Sequence, residues 1–294
     1  MRGDNIDPTE KKQPLRREQR PPWLKVKLPL GTKYTDVKSI VGAHKLHTVC
    51  EDARCPNLGE CWNRGTATFM ILGDTCTRSC GFCAVKTGRP DFLDTDEPRR
   101  VADAARKMNL RHVVVTSVNR DELADGGAGI FADTISRLRE AIPGVTIEVL
   151  IPDFKGEPGA LRKLVEVQPD ILNHNIETVP RLYSTVRPQA AYDRSLGVLR
   201  YYTDHGLTTK SGLMLGIGEQ KEEIKIALED LAAAGVEIVT LGQYLQPSRR
   251  HLPVDRWVTP EEFEYWKSFG LDIGFRHVES APLVRSSYHA EEHV

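Results

Sequence analysis

Thr68-Phe69-Met70-Ile71-Leu72-Gly73 runs into Cys76-Thr77-Arg78-Ser79-Cys80-Gly81-Phe82-Cys83, and this junction decides how the chain is read. The first half is a short apolar run of strand length. The second half places three cysteines within eight residues. Thiolates this close together, with Gly81 allowing the backbone to turn sharply, can wrap one side of an inorganic cluster. Three ligands cannot cap four irons, so a cubane held here keeps one iron open for a ligand that is not protein.

Downstream of this junction, strand-like runs alternate with amphipathic stretches of helical length. The predicted strands are Thr68–Leu72, His112–Thr116, Thr146–Ile151, Ile171–Ile176, Ser211–Leu215 and Val236–Leu241. A helix predicted over Ala128–Ile142 places Phe131, Ile135, Leu138 and Ile142 on one face. A second, over Lys221–Ala234, stops at Gly235, and a third opens on the capping pattern Thr259-Pro260-Glu261-Glu262 and ends near Gly270. Strands alternating with helices mean a parallel sheet with right-handed crossovers. The expected fold is therefore α/β, a partial (β/α)6-type barrel. Chemistry in such folds sits at the C-terminal ends of the strands, and the cysteine loop follows the first strand directly.

The flanks read differently. Residues 1–22 are polar and hold Pro8, Pro14, Pro21 and Pro22, the pattern of a flexible or wrapping arm. Residues 23–67 form an N-terminal extension with a second cysteine group, 68–280 the barrel, and 281–294 a C-terminal tail. With 294 residues and a net charge of -1, the chain can bury a full core and lacks the basic surface of a nucleic-acid binder. No apolar run approaches the roughly 18 residues of a membrane span. The N-terminus has no apolar signal core, and Asp4, Asp7 and Glu10 argue against a transit peptide, so a cytoplasmic protein is expected.

All six cysteines lie between Cys50 and Cys83. Three disulfides would suit a small secreted scaffold rather than a chain of this length, so metal or cluster ligation is favoured. Cys50, Cys55 and Cys61 form the upstream group. Zinc, completed by His44 or His47, is one reading of it. A second four-iron cluster is the other, and no seventh cysteine exists to complete it. Its fourth iron would then take a weaker ligand; a serine oxygen is harder than a thiolate, binds iron less well, and suits a cluster meant to be taken apart.

Cys76-x3-Cys80-x2-Cys83, with Phe82 before the last cysteine, resembles the signature of the radical S-adenosylmethionine superfamily. Together with Cys50-x4-Cys55-x5-Cys61 upstream, the chain resembles the lipoyl synthases. The stretches Val49–Asn57, Thr116–Leu123, Asn173–Thr178, Gly212–Glu219, Tyr244–Pro247 and Arg285–Tyr288 carry the same likeness. Asn119 departs from it, since many relatives carry Asp there, and little consequence is expected.

The resemblance implies a definite chemistry. Cys76, Cys80 and Cys83 would hold a 4Fe-4S cluster whose open iron chelates S-adenosylmethionine. One electron then yields a 5′-deoxyadenosyl radical able to take hydrogen from an unactivated carbon. The implied reaction inserts two sulfurs, at C6 and C8, into an octanoyl chain on a carrier lysine. A second 4Fe-4S cluster on Cys50, Cys55 and Cys61 would donate the sulfur. Its implied fourth ligand is a serine of Arg285-Ser286-Ser287-Tyr288, with Ser287 favoured over Ser286. Phe82, Asn175, Glu177, Gly216 and Glu219 are candidate contacts to S-adenosylmethionine, although Gly216-Ile217-Gly218-Glu219 reads equally well as a tight strand-to-helix turn. Implied partners are octanoylated lipoyl carrier domains of 2-oxoacid dehydrogenase complexes and the glycine cleavage H protein. An electron donor such as ferredoxin or flavodoxin and an iron-sulfur carrier for rebuilding the cluster are also implied. A methylthiotransferase is disfavoured by the cysteine spacing and charge, and a simple electron carrier would leave the barrel unexplained.

Overall fold

A computed structural model of the protein describes residues 20–25, 32–44, 46–49, 55, 57, 61, 68–288 and 290–292, with only the backbone given for 32–36. Cys50 lies outside the described residues, as does most of the predicted arm and N-terminal extension. In chain order the strands are β1 (His47–Thr48), β2 (Thr68–Ile71), β3 (Thr75–Cys76), β4 (Lys86–Thr87) and β5 (His112–Ser117), then β6 (Thr146–Leu150), β7 (Ile171–Asn173), β8 (Thr209–Leu215), β9 (Ile238–Gln243) and β10 (His277–Ser280). The helices are α1 (Thr32–Ala43), α2 (Glu97–Lys107), α3 (Ala128–Ala141), α4 (Pro158–Val167), α5 (Tyr183–Val186), α6 (Tyr192–Asp204), α7 (Lys221–Ala233) and α8 (Pro260–Asp272).

The apolar runs pair as the alternation predicts. An eight-stranded sheet has the order β1-β2-β5-β6-β7-β8-β9-β10, and every pairing except β1–β2 is parallel. This is an α/β fold on a mostly parallel sheet. Its strands are near-continuous apolar runs because both faces are covered, and Val113, Val114 and Val115 are all fully buried. One core packs β2, β5 and β6 against α2, α3 and α4; a second packs β8, β9 and β10 against α7 and α8.

The two-residue strands β1, β3 and β4 were not among the predicted ones, and two longer elements also depart from expectation. β7 stops at Asn173 instead of Ile176, and the chain regains a single parallel bridge between Glu177 and Leu213, with Glu177 held at φ +66°. The strand β10 was not expected, because only Val278 and Ser280 of His277-Val278-Glu279-Ser280 are buried. The helix α2 was missed for a related reason. Its buried face holds Glu97, Pro98 and three alanines, with Val101 as the one large aliphatic side chain.

A polar group sits inside the strand layer. Lys210 Nζ lies 2.9 Å from both carboxylate oxygens of Glu148, Asn173 Nδ2 donates to Glu148 Oε1 at 3.0 Å, and the ion pair is fully buried. Such a pair is costly to bury and costlier to break, so it fixes the facing of β6, β7 and β8.

The exit from β2 aims the cysteine loop. Leu72 takes φ +70°; its N–H donates to Glu97 Oε2 at 2.6 Å, and its carbonyl accepts from Arg120 Nη1 at 3.0 Å. Glu97 and Arg120 are both buried. Each half of the turn is thus held by a charged group from a different element.

Candidate functional site

The loop from Cys76 to Cys83 is closed at its base and pinned along its length. β3 and β4 pair in parallel across it, and Gly88 N donates to the Cys76 carbonyl at 2.9 Å. Thr77 N donates to the Asn119 carbonyl at 3.0 Å, joining the loop to the end of β5. Gly81 N donates to the Val186 carbonyl at 2.9 Å, and the Gly81 carbonyl accepts from Leu252 N at 3.0 Å. The need for glycine here differs from the sequence expectation. Gly81 is not in the left-handed region; rather, a Cβ at this position would lie 2.8 Å from Leu252 Cδ1 and 3.3 Å from the Thr185 carbonyl. His251 Nε2 completes the clasp, 2.9 Å from the Cys83 carbonyl.

Arg78, between the first two cysteines, gave no signal in the sequence. Its guanidinium is buried, donating through Nε and Nη2 to both oxygens of Asp121 at 2.7 and 2.8 Å, and through Nη2 to Asp153 Oδ1 at 2.7 Å. Arg194 Nε takes the other Asp153 oxygen at 2.8 Å. Although burial opposes ionisation of Asp153, the Arg78 guanidinium holds its carboxyl well below the usual carboxylate range. Planar, two-point pairing of this kind fixes orientation as well as charge.

The three thiols open onto a cavity of about 750 Å3 at the C-terminal ends of the strands. Cys76 Sγ accepts from Arg78 N at 3.4 Å and Asn119 N at 3.3 Å. Burial pushes the Cys80 thiol up to about 12 and the Cys83 thiol up to about 11. These two side chains are therefore unlike reactive free thiolates, and a bound metal centre is what would displace their protons. Cys76, Cys80 and Cys83 form no disulfide, which removes the three-disulfide reading. Among the described residues no three His, Cys, Asp or Glu side chains converge on a point suited to one ion. A cluster makes no such demand, since each thiolate binds a different iron. Donors aimed at a sulfur, buried thiols and a roomy cavity fit an iron-sulfur cluster.

Another part of the cavity wall is built from the N-terminal extension and the C-terminal tail. Ala281 N donates to the Leu241 carbonyl and Gln243 N to the Pro282 carbonyl, both at 3.2 Å, so the tail continues across the end of β9. Gly242 permits this approach, because a Cβ there would stand 2.2 Å from the Val284 carbonyl. Arg285, Ser286 and Ser287 then face the cavity with Cys55. Burial opposes the charge on Arg285, while neighbouring Cys55 and Glu177 favour it. Asn57 Nδ2 donates to the Leu283 carbonyl at 2.7 Å, tying the upstream cysteine segment to the tail. Cys61 N donates to the Asn57 carbonyl at 2.9 Å, and its side chain packs on the first core. The sequence pairs Ser286 and Ser287 as neighbours, but the structure gives them different partners. Ser286 Oγ accepts from Asn175 Nδ2 at 2.6 Å, and Ser287 Oγ accepts from Thr68 Oγ1 at 2.9 Å.

Asn175 and Glu177 line the same cavity, joined by Asn175 Nδ2 donating to Glu177 Oε1 at 3.1 Å. Burial raises the Glu177 carboxyl, with Arg187 and Asn175 pulling it back. Asn175 Oδ1 is buried and has no hydrogen-bond partner among the described residues. Phe82 also lines the cavity, packed on Val186, Ile217 and Tyr244. The stretch Gly216–Glu219 behaves as a turn. Glu219 accepts from its own loop at Gly216 N (2.6 Å), Ile217 N (2.9 Å) and Gly218 N (3.1 Å), and neither Gly216 nor Glu219 lines the cavity. His44 faces Lys107 Nζ at 3.0 Å on α2, and Arg249 and Arg250 are exposed in a turn.

The comparisons with known proteins agree with this geometry. Residues 70–231 match the Radical SAM superfamily, and residues 3–55 match the N-terminal domain of lipoyl synthase of the Radical SAM family. A lipoyl synthase of Rubrobacter xylanophilus is 60% identical over 285 residues, covering 95% of this chain and 89% of that protein. One of Christiangramia forsetii is 53% identical, covering 99% of each. A Nematostella vectensis relative named as a mitochondrial lipoyl synthase is 54% identical, covering 95% of this chain and 96% of that one. Among solved structures, Streptococcus suis SuiB bound to S-adenosylmethionine superposes with a TM-score of 0.59 at 11% identity, covering 77% of this chain and 54% of SuiB. This chain thus spans about half the length of SuiB. Methylornithine synthase PylB superposes with a TM-score of 0.53 at 14% identity, covering 87% and 84%. These two likenesses concern the fold. Among the described residues no helix is long and apolar enough to cross a membrane.

Proposed function

The chain belongs to the lipoyl synthase family of radical S-adenosylmethionine enzymes, and from that premise we propose that it inserts sulfur at C6 and C8 of an octanoyl chain amide-linked to a carrier lysine. The observation that carries this reading is one cavity faced by two donor sets. Cys76, Cys80 and Cys83 line it, and so do Cys55, Ser286 and Ser287. When bound, S-adenosylmethionine and a 4Fe-4S cluster supply a radical that takes hydrogen from unactivated carbon, and a second 4Fe-4S cluster supplies sulfur.

Each part of the chain has a role in this proposal. Residues 68–280 form the radical-generating barrel, and residues 23–67 with 281–294 carry the sulfur-donating site. Cys76, Cys80 and Cys83 would hold the first cluster, which would bind S-adenosylmethionine and supply the radical chemistry. Asn175 and Glu177 orient that cofactor with polar groups on the cavity wall, and Phe82 packs beside it. Cys50, Cys55 and Cys61 hold the second cluster, with Ser287 as the fourth ligand. A serine oxygen donor is the weak point of that set, which suits a cluster consumed as a reactant. Leu213, Met214, Val284 and Tyr244 give the cavity apolar walls for an octanoyl chain. The partners follow: octanoylated carrier domains of 2-oxoacid dehydrogenase complexes and the glycine cleavage H protein, a ferredoxin or flavodoxin as electron donor, and an iron-sulfur carrier that rebuilds the second cluster.

The test is anaerobic reconstitution of the full chain, followed by dithionite, S-adenosylmethionine and an octanoyl-lysine peptide. About eight irons per chain and sulfur in the peptide are expected; about four irons, or no sulfur transfer, sinks the proposal. Ser287→Ala is expected to depress sulfur insertion more than S-adenosylmethionine cleavage, and more than Ser286→Ala does. Equal effects of the two alanines would remove Ser287 from the ligand set.

A further inference from the structure

Cys76 differs from its neighbours in what surrounds its sulfur. Besides Arg78 N and Asn119 N, the side-chain amide Asn119 Nδ2 faces Cys76 Sγ at 3.8 Å, within range for a long N–H to sulfur contact. The Asn119 backbone already has a structural task, since its carbonyl accepts from Thr77 N and Thr77 Oγ1, both at 3.0 Å. Any residue at this position could do that. The side-chain amide has no such duty toward the loop, and it lines the cavity with Nδ2 turned to the sulfur.

We infer that Asn119 is a positioning residue that raises the reduction potential of the cluster on Cys76, Cys80 and Cys83 by donating its side-chain amide to the Cys76 sulfur. The inference rests on the reading that these three cysteines hold that cluster. Accepting one electron adds one negative charge, which spreads onto the ligating sulfurs. An N–H donor stabilises the more negative state more than the less negative one, so the electron enters more readily. Aspartate has nearly the same shape as asparagine but no N–H, and its carboxylate places a like charge beside the sulfur. It must disfavour reduction more than simple removal of the amide does.

The experiment is a reductive titration followed by electron paramagnetic resonance on the reconstituted full chain, with Asn119→Ala and Asn119→Asp beside the wild type. The signal perturbed by added S-adenosylmethionine identifies the cluster. At the poise that half-reduces the wild type, the reduced-to-oxidised ratio is expected to fall about threefold in Asn119→Ala and about tenfold in Asn119→Asp, shifts of about 30 and 60 mV for one electron. Iron and sulfide content should stay at the wild-type level. Identical potentials in all three proteins, a reversed order, or loss of iron with no shift in the remaining signal would each overturn the inference. Absence of any signal sensitive to S-adenosylmethionine would instead bring down the cluster assignment, and the inference with it.

Discussion

The loop carrying Cys76, Cys80 and Cys83 and the tail carrying Ser286 and Ser287 face one cavity, yet they are held in opposite ways. The loop is gripped by a buried arginine with two carboxylates, by backbone bonds to the ends of β5, α5 and the 248–252 turn, and by a short ladder at its base. Toward the cavity and the upstream cysteines, hydrogen bonds that hold the tail among the described residues include Asn57 to Leu283, Thr68 to Ser287 and Asn175 to Ser286. A site that starts every turnover and must survive it gains from the first kind of support. A site whose cluster is consumed and rebuilt gains from the second. The sharpest way to break this comparison is to attack the loop at its strongest point. Removing one partner of a buried pair leaves the others charged and unsolvated, at a cost of about 3–5 kcal/mol. Arg78→Met is expected near the lower end, since Arg194 still neutralises part of Asp153. Denaturant unfolding should show this loss, and reconstituted iron should fall by about half as the first cluster is lost. Arg78→Lys should recover only part of the effect, because one ammonium cannot match two carboxylates at once. Full iron content in Arg78→Met would mean that the loop does not need its grip.

A pH titration sharpens the same contrast. His174 lies fully buried below the loop network, with Nδ1 2.9 Å from the Ile151 carbonyl and Nε2 3.1 Å from Ser195 Oγ. A carbonyl cannot donate, so the proton sits on Nδ1 and Nε2 accepts from the serine. Burial, with Arg187 nearby, lowers the ring to about 4 from an ordinary 6.5. Between those values the unfolded chain binds a proton that the folded one refuses, so stability falls as the pH falls. The full loss is on the order of 3 kcal/mol once the pH has dropped through the folded value. Glu97 and Glu177, raised by burial, work in the opposite direction. The difference between wild type and His174→Gln therefore isolates the ring. Unfolding free energies at pH 6.5 and pH 4.5 should converge in the variant relative to the wild type; parallel curves would mean the ring titrates normally.

What could be read in the letters follows the same division. The parallel strands and the three-cysteine loop were legible because apolar runs and ligand spacing are local patterns. β10 was not, since a strand that buries only Val278 and a serine lacks the apolar letters that announce one. The Arg78 network was invisible because its partners Asp121 and Asp153 lie 43 and 75 residues away. An arginine between two cysteines reads as a surface residue until the sheet brings the carboxylates to it. Asn175 and Ser286 were each legible as site candidates, but the bond between them spans 111 residues and belongs to the tertiary structure. Glu219 illustrates a local arrangement instead. Its place after Gly216-Ile217-Gly218 suggests a cofactor contact, yet its carboxylate is occupied by the amides of its own turn. Asn119 looked like a neutral departure because sequence likeness says nothing about which sulfur an amide faces.

The smallest expected effect probes the tail. Thr68 is buried at the start of β2, the strand whose far end leads into the cysteine loop, and its hydroxyl donates to Ser287 Oγ across 219 residues of chain. This single bond couples the rigid half of the site to the adaptable half. Thr68→Val keeps the volume and the β-branch but has no donor. A lost hydrogen bond of this kind is worth about 1 kcal/mol, or about fivefold in an equilibrium, so sulfur insertion should drop by about that factor and cofactor cleavage by less. The useful measurement is the double-mutant cycle with Ser287→Ala. If Thr68 acts by holding Ser287, its substitution does nothing more once the serine oxygen is gone, and the two effects are strongly non-additive. If the effects simply add, Thr68 acts on β2 packing alone, and the tail serine is positioned by the Asn57 and Asn175 contacts without it.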